Sequence, residues 1–368
     1  MADPVPYVDI TAQWLEEREH LLPILDKVLS GGQYVGGKEV QEFEDAAKSF
    51  FGAAHVVALN SGTDALVCAL AAVGVGVGDE VITPPNSFVA STAAITHLRA
   101  RPVYVDVKAD QNIDETLIES AIGPKTKAIM PVHLTGRMAA MQEINRVADR
   151  HGVAVIEDSA QSAGSKLFGR DSGTWGTVGC FSAHPLKNLN ACGDAGFILT
   201  DNESIAGKIR SMRNHGLVDR NTVERFGFVS RMDSIQAAVL HHRVSKLPSV
   251  IEKRRENVAL YRRYLNPEWV FHPQDGEGED NSWHTFVIQV ERRDELKAYL
   301  TSKGIETAIH YPIPIHLQPA AKFLGYAKGD FPETESQAGK ILTLPVHQYL
   351  DRKIIENISA TVNQFYNY

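Results

Sequence analysis

Short apolar segments alternate with helix-like segments over the first two-thirds of the chain, and this alternation limits the possible folds most strongly. Helical character is seen at 63–73 and 89–97. The apolar segments have the length of strands and lie at 56–59, 81–84, 103–107, 128–133, 153–158, around Cys180 and at 197–200. Continuously apolar strands separated by helices are typical of a parallel sheet covered on both faces. We therefore predict an α/β fold that binds its ligands beyond the carboxyl ends of the strands.

The pattern changes near residue 245. We expect a charged helix over 251–265, an alternating strand over 283–290, a helix over 294–303, a short strand near 307–309 and a last helix from Asp351. The chain of 368 residues is long enough for two hydrophobic cores. We therefore divide it into a large α/β domain, residues 1–245, and a smaller α+β domain, residues 246–368.

Composition excludes several classes of protein. The net charge of -8 argues against nucleic acid as a partner, because phosphate contacts require clustered Lys and Arg. Three widely spaced cysteines indicate neither a disulfide framework nor a zinc site, and we expect no metal. The sequence shows no signal-peptide pattern and no apolar stretch that would span a bilayer. We expect a cytoplasmic protein with no membrane partner.

The first candidate site segment runs from Asn60 to Leu66, where a predicted strand turns into a helix. Its Ser-Gly-Thr turn would present free backbone N–H groups at the positive end of the helix, which suits a phosphate. An ordinary helix cap would have the same sequence. The spacings of the dinucleotide fold and of the P-loop are both absent.

An acid and a lysine follow two other predicted strands. Asp158 ends one strand, and a charge there requires a partner such as a protonated ring nitrogen, unless it caps a helix. Lys187 precedes a Gly-rich turn, where desolvation would favour the neutral, nucleophilic amine, unless the lysine is exposed. Phe88 would place a ring over a flat cofactor or pack in the core. Together these features match the needs of pyridoxal 5'-phosphate (PLP).

Several motifs in fixed order resemble the DegT/DnrJ/EryC1/StrS family over almost the whole chain. They are SGTDAL at 61–66, EDSAQ at 157–161, HPLKNL at 184–189, RMD at 231–233 and QAA at 236–238. The members of this family are mostly PLP-dependent aminotransferases that act on nucleotide-linked keto sugars. The resemblance implies the aspartate aminotransferase-like fold, fold type I, and a homodimer with active sites shared between subunits.

The resemblance also assigns roles to individual residues. It implies that Lys187 forms a Schiff base with PLP and shuttles a proton, while Asp158 pairs with the ring nitrogen. The remaining contacts to the cofactor would come from Gly62, Thr63, Phe88, Gln161 and Ser182. Substrate contacts would come from His215, Arg231, Tyr311 and His316.

One position departs from the family pattern. Members carry Gly-x-Asn-x-Arg before the QAA helix, and that Asn reaches the PLP phosphate of the partner subunit. Here the segment is GFVSR at 227–231, so Val229 takes the place of Asn. Valine cannot donate a hydrogen bond. Either this contact is lost, or a neighbour such as Ser230 or Arg231 supplies it.

The resemblance implies a reaction in two halves. An amino donor, L-glutamate, would convert PLP to pyridoxamine 5'-phosphate (PMP) and leave as 2-oxoglutarate, and the amine would then pass to a sugar ketone. The GDAG sequence at 193–196 is more similar to members that aminate C3 than to those that aminate C4. The alternatives are an aminotransferase for a cyclitol or other ketone, and a non-catalytic regulator that binds PLP or a sugar nucleotide.

Overall fold

The structure is a computed structural model that describes residues 4–367. Its helices are α1 (Ile10–Gly31), α2 (Lys38–Phe51), α3 (Gly62–Ala72), α4 (Val89–His97), α5 (Glu115–Ala121), α6 (Met141–His151), α7 (Glu203–Met212), α8 (Ser234–Val244), α9 (Leu247–Tyr264), α10 (Arg293–Ser302), α11 (Pro332–Lys340) and α12 (Arg352–Tyr366). Short 3-10 helices lie at Leu134–Gly136, Ile315–Leu317 and Pro319–Leu324. Among these described helices, none has both the length and the apolar character needed to cross a membrane.

The strands form three sheets. They are β1 (His55–Leu59), β2 (Glu80–Thr83), β3 (Arg101–Tyr104), β4 (Thr126–Ile129), β5 (Ala154–Asp158), β6 (Lys166–Leu167), β7 (Arg170–Asp171), β8 (Val178–Ser182), β9 (Gly196–Thr200), β10 (Val270–Phe271), β11 (Glu279–Asp280), β12 (Phe286–Val290) and β13 (Ile341–Leu344). The largest sheet has the spatial order β1-β9-β8-β5-β4-β2-β3. Strand β9 is antiparallel to both of its neighbours, and the other pairings are parallel. The predicted α/β class with a mainly parallel sheet is therefore confirmed.

Both faces of the large sheet are covered, as its continuously apolar strands require. In β1, Val57 and Leu59 pack into a core with α3, α4 and α7. Val56 and Ala58 point to the opposite face and pack with α2 and α8. Because side chains of a strand alternate between faces, most residues of such a buried strand are apolar or small, and the buried Glu157 and Asp158 of β5 are exceptions.

The C-terminal part forms a second core around the antiparallel sheet β10-β12-β13. Helices α9, α10 and α12 pack against this sheet. The first turns of α9, through Leu247 and Ile251, belong instead to the core of the large sheet. Near the N-terminus, Val5 forms a parallel bridge with Ile305 in the C-terminal part. The domain boundary at residue 245 stays a proposal, and the segment around Val5 associates with the smaller unit.

Four predicted strands differ from the structure, and the one expected at 128–133 lies at Thr126–Ile129. The strand expected at 103–107 lies at Arg101–Tyr104, paired with β2, and the one expected at 307–309 is a single bridge from Ala308 to Thr343. The strand expected at 283–290 begins only at Phe286. Trp283 has a left-handed backbone, with φ of 50°, which interrupts an extended chain. Residues 281–285 therefore lie before the strand as a segment with a bend at His284, referred to as the turn at residues 281–285.

Phe181 of β8 and Phe197 of β9 belong to a buried aromatic cluster, and we expect loss of one of these rings to destabilise the protein. Phe181 is 0 % exposed, and its ring stacks on Phe197 with ring centroids 4.7 Å apart. We expect Phe181→Ala to lower the free energy of unfolding by about 3–5 kcal/mol, because it leaves a cavity in a packed core. Urea denaturation followed by circular dichroism measures this change. Val77→Ala, at a position 78 % exposed, is the control and should stay within about 0.5 kcal/mol of the parent protein.

Candidate active site

The carboxyl ends of β1, β5 and β8 lie at one edge of the large sheet. Strand β1 leads to Gly62 at the start of α3, β5 ends at Asp158, and β8 ends at Ser182, shortly before Lys187. A cavity of ≈ 340 Å³ opens at this edge. It brings together most of the predicted site residues, namely Gly62, Thr63, Phe88, Asp158, Gln161, Ser182, Lys187 and Tyr311.

The start of α3 forms a cradle with free backbone donors. The Ser61 hydroxyl caps the helix by accepting from the Asp64 N–H at 3.1 Å. This leaves the N–H groups of Gly62 and Thr63 without a partner inside the helix, beside the Ser182 hydroxyl. A Cβ on Gly62 would lie 2.6 Å from the Ser182 Cβ, so only glycine allows this close approach. Backbone and hydroxyl donors at a helix N-terminus suit a phosphate.

Asp158 is buried and held in one orientation. Its Oδ2 accepts a hydrogen bond from the Ser91 hydroxyl at 2.7 Å, and its Oδ1 accepts one from the Ala160 N–H at 3.2 Å. Burial raises the pKa of the Asp158 carboxyl, while these two bonds and the amine of Lys187 oppose that shift. A carboxylate in such a place is stabilised by a facing cation, and a protonated ring nitrogen would supply one.

Lys187 projects into the same cavity from the loop after β8. Burial lowers the pKa of its amine from 10.5 to about 8, and the negative charge of Asp158 opposes this shift only in part. The Nζ atom lies 3.5 Å from Nε2 of His284. A lysine with a pKa near 8 is about one-tenth neutral at pH 7, far more than an ordinary lysine, and this neutral form is the nucleophile that Schiff-base chemistry requires.

Three further predicted residues, Phe88, Gln161 and Tyr311, also line the cavity. Phe88 is 54 % exposed, so it is not a core residue, and its ring lies 5.6 Å from that of Tyr311. The Gln161 Oε1 accepts from the Thr135 N–H at 2.8 Å, and this directs the Gln161 amide N–H to the Tyr311 hydroxyl at 3.4 Å. These contacts fix an aromatic ring and an amide donor in the cavity.

The three remaining predicted substrate residues do not line this cavity. His316 is 2 % exposed, bonds Glu335 through Nε2 at 3.0 Å and packs on Phe331, so its place is structural. His215 is exposed in the loop after α7. Arg231 borders a separate cavity of ≈ 250 Å³. Within a single chain, the prediction that these residues contact substrate at the Lys187 site is therefore not supported.

The sequence analysis missed four residues of the site. Tyr7, His284 and His310 line the cavity and come from the N-terminal segment and the C-terminal part, whereas Ser91 holds Asp158 from the first turn of α4. Burial and the nearby Lys187 lower the pKa of His310 to about 4, so this imidazole is neutral at pH 7. Ser91 had no distinctive local signal, since Thr92, Thr96 and His97 on the same helix are also polar. The others come together only through the tertiary fold.

The sequence profile of the DegT/DnrJ/EryC1/StrS aminotransferase family matches residues 16–363. The chain belongs to this family. The family resemblance expected from the motifs is thus confirmed, and so is the identification as an aminotransferase. Of the described residues, no group of three or more His, Cys, Asp or Glu side chains is arranged to hold a metal ion.

Individual relatives of the family cover nearly the whole chain. A "Pleiotropic regulatory protein" of Geobacillus stearothermophilus is 38 % identical over 99 % of each chain. A "dTDP-3-amino-3,4,6-trideoxy-alpha-D-glucose transaminase" of Streptomyces venezuelae is 38 % identical over 95 % of this chain and 92 % of its own. The crystal structure of S. venezuelae DesV in complex with a ketimine intermediate superimposes with a TM-score of 0.97, at 37 % identity and 100 % coverage of both chains.

PLP is the cofactor of this family, with PMP as its amine form. The cavity residues fit the cofactor. The cradle that a Cβ on Gly62 would fill provides phosphate donors, Asp158 provides the anion for the ring nitrogen, and Lys187 provides a reactive amine. The individual contacts remain predictions, and the fit rests on the chemistry of this donor set.

The close approach of Gly62 to Ser182 gives a direct test of the phosphate cradle. Gly62→Ala places a methyl group against Ser182, so we expect PLP binding to weaken by at least about tenfold, or about 1.4 kcal/mol. Titration of cofactor-free protein, followed by protein fluorescence, measures the dissociation constant. Gly207→Ala adds the same methyl group on α7, where nothing lies within 4 Å, and should leave PLP binding unchanged.

Proposed function

We propose that this protein transfers an amino group from L-glutamate to the C3 keto group of a nucleotide-linked sugar. The observation that carries the proposal is the meeting of three groups in one cavity. They are the desolvated amine of Lys187, the buried carboxylate of Asp158 and the unpaired N–H groups at the start of α3. The cytoplasmic location expected from the sequence stays a prediction.

The residues of the chain divide the work of the reaction. PLP, when bound, supplies an electron sink that stabilises negative charge on the carbon next to the transferred amine. Asp158 keeps the ring nitrogen protonated, and the first turn of α3 with Ser182 anchors the phosphate. Lys187 carries and releases a proton at Nζ, which its lowered pKa permits near neutral pH. The aromatic ring of Phe88 covers one face of the cavity and limits the access of water.

Two observations favour C3 as the aminated carbon. The GDAG sequence, similar to members that aminate C3, places Asp194 in the wall of the cavity. The S. venezuelae relative is named as a transaminase that forms a 3-amino sugar. Tyr7, His310 and Tyr311 supply further polar groups to the wall of the cavity. Hydroxyl and imidazole groups in such a wall suit the hydroxyls of a sugar.

The substrate is tested with a panel of amino acceptors. Purified protein, PLP and L-glutamate are incubated with 3-keto and 4-keto nucleotide sugars and with cyclitol ketones, and the products are identified by mass spectrometry. We expect an amino sugar only from the 3-keto nucleotide sugars, together with 2-oxoglutarate. Exclusive amination of a 4-keto sugar or a cyclitol would contradict the proposed acceptor, and L-alanine in place of L-glutamate tests the donor.

The role of Lys187 is tested separately. Borohydride reduction of the PLP-loaded protein should attach the cofactor to the peptide that contains Lys187, detected by mass spectrometry. Lys187→Ala should lose amino transfer entirely, because no other described lysine lines the cavity. Lys166→Ala, which removes a surface ion pair with Asp171, is the control and should keep full activity. Amino transfer by the Lys187→Ala protein would refute the assignment.

A second function, regulation without catalysis, is favoured by the Geobacillus relative, which is named a regulatory protein. A regulator could lose the reactive groups of the site, yet both Lys187 and Asp158 are present and share the cavity. The same panel separates the two functions. Tight binding of PLP and of a sugar nucleotide without turnover of any acceptor would support the regulator.

We also propose that the protein is a homodimer whose active sites combine residues of both subunits. The segment 217–229 exposes apolar side chains, and Phe226 is 100 % exposed. An exposed apolar patch of this kind indicates a site of contact with another protein chain. Ser230 is buried and donates to Asn60 Oδ1 at 3.0 Å within its own chain, so it is not free to contact a partner. Arg231 donates from Nη1 to Asn214 Oδ1 at 3.3 Å, but its Nε is buried and has no partner among the described residues. Of the two neighbours of Val229 considered from the sequence, Arg231 is therefore the one with a free donor for the phosphate of the other subunit.

Complementation tests the shared site. Lys187→Ala and Arg231→Ala should each be inactive alone, because each lacks one component of every site. A heterodimer of the two variants contains one intact site out of two, so it should have about half of the activity of the parent dimer. A randomly reassembled mixture, in which about half of the dimers are heterodimers, should regain about a quarter. Activity that fails to return, although ultracentrifugation shows that heterodimers form, would mean that Arg231 acts within its own subunit. A protein that is monomeric at every concentration would contradict the dimer itself.

A further inference from the structure

The turn at residues 281–285 is fastened over Lys187 by hydrogen bonds from three other parts of the chain. Arg254 of α9 donates from Nη1 to the carbonyl oxygens of Trp283 and His284, each at 3.1 Å. Asn188 donates from Nδ2 to the carbonyl oxygen of Ser282 at 2.9 Å. The Ser165 hydroxyl lies 2.8 Å from that of Ser282. The turn, and with it the backbone of His284, is therefore fixed relative to the loop that carries Lys187.

His284 directs one ring nitrogen at the lysine amine. Its Nε2 lies 3.5 Å from Lys187 Nζ, while its Nδ1 is buried and has no hydrogen-bond partner among the described residues. A neutral imidazole carries one proton and has one acceptor nitrogen. The ammonium form of Lys187 can only donate, so with this form the contact requires the proton on Nδ1 and the lone pair on Nε2 of His284.

The surroundings of His284 keep the ring neutral. Burial lowers the pKa of His284 well below its ordinary value, and the positive charges of Lys187 and Arg254 add to this effect. His310 and His184 are the other titratable groups that act on it, and both disfavour a second positive charge. On its other side, Lys187 interacts with Asp158. His284 is thus an acceptor that does not compete with Lys187 for the proton.

We propose that His284 is a positioning residue for Lys187, whose Nε2 accepts a hydrogen bond from the free lysine amine and holds that amine at one place in the cavity. The inference rests on the assignment of Lys187 as the lysine that binds the cofactor. A lysine side chain has four rotatable bonds, and a single directional acceptor reduces the number of positions that its amine samples. The acceptor also stabilises the ammonium form in a site from which water is largely excluded.

The sign of the expected pH effect follows from this arrangement. Without the acceptor, the buried ammonium is less stable, so the pKa of Lys187 falls below about 8. His284→Phe keeps a ring but removes the acceptor. His284→Gln retains an acceptor at the distance of Nε2, whereas His284→Asn is one methylene shorter and does not reach the amine. The Gln and Asn variants are thus a matched pair that differs mainly in reach.

The experiment measures the free amine without the cofactor. Cofactor-free protein is labelled with limiting acetic anhydride from pH 6 to 11, and acetylation of Lys187 is followed by mass spectrometry. We expect a midpoint near pH 8 for the parent and His284→Gln proteins, and one lower by about one pH unit for His284→Phe and His284→Asn. In PLP-loaded protein, kcat should fall by about tenfold or more in the latter two, with KM unchanged.

Each outcome decides the proposal. A folded His284→Phe protein whose midpoint and kcat match the parent overturns it. If that variant does not fold, the Asn and Gln pair decides, and equal midpoints in the two overturn it. Arg262→Met is a control, since Arg262 lies over the Trp283 ring at 4.9 Å but bonds no carbonyl of the turn, and its midpoint should not move. Failure of borohydride to attach the cofactor to Lys187 would refute the proposed function without changing the labelling result.

Discussion

The burial of one lysine amine is the constraint on which the rest of the site depends. An ammonium group removed from water loses much of its hydration, and its pKa falls accordingly. Asp158 offsets part of that loss in Lys187, and Asp158 is itself kept in place by Ser91. Water is excluded from the Lys187 amine by the ends of the strands, the first turn of α3 and the turn at residues 281–285. The reactivity of the amine is therefore a property of the whole enclosure.

The enclosure needs both cores of the protein. The large sheet provides Asp158, Ser182 and the helix start, but these residues form only one side of the cavity. The other side comes from His284, His310 and Tyr7, which belong to the smaller unit and the N-terminal segment. The lowered pKa values of Lys187 and His310 are produced by burial, so they exist only while the two sides are assembled.

The sequence predicted the part of this site that local patterns encode. Asp158 and Lys187 follow apolar strands, and the turn at Gly62 precedes a helix, so their meeting at one sheet edge follows from parallel topology. The antiparallel direction of β9 and the helices α1 and α2 were not predicted. Helix α1 has a weak apolar stripe and contains Pro23, so its pattern is not distinctive. The sequence did not predict His284 as a site residue, because the apolar alternation at 283–290 suggests a continuous strand. Only the structure shows the turn, through the left-handed backbone of Trp283 and the hydrogen bond from Arg254 to its carbonyl oxygen. For His316 the error is the reverse, because it was predicted to contact substrate from its motif position. That position does not show that the ring is bonded to Glu335.

Helix α9 has a consequence for how the protein loses its structure. Its first turns are part of one hydrophobic core and its last turns part of the other, while Arg254 between them fastens the turn above Lys187. A helix broken in its middle loses several backbone hydrogen bonds at once, so a hinge there is costly. Loosening of either core is therefore transmitted along α9 to the other. The two units therefore share one cooperative element, and we expect the cavity around Lys187 to open when α9 melts.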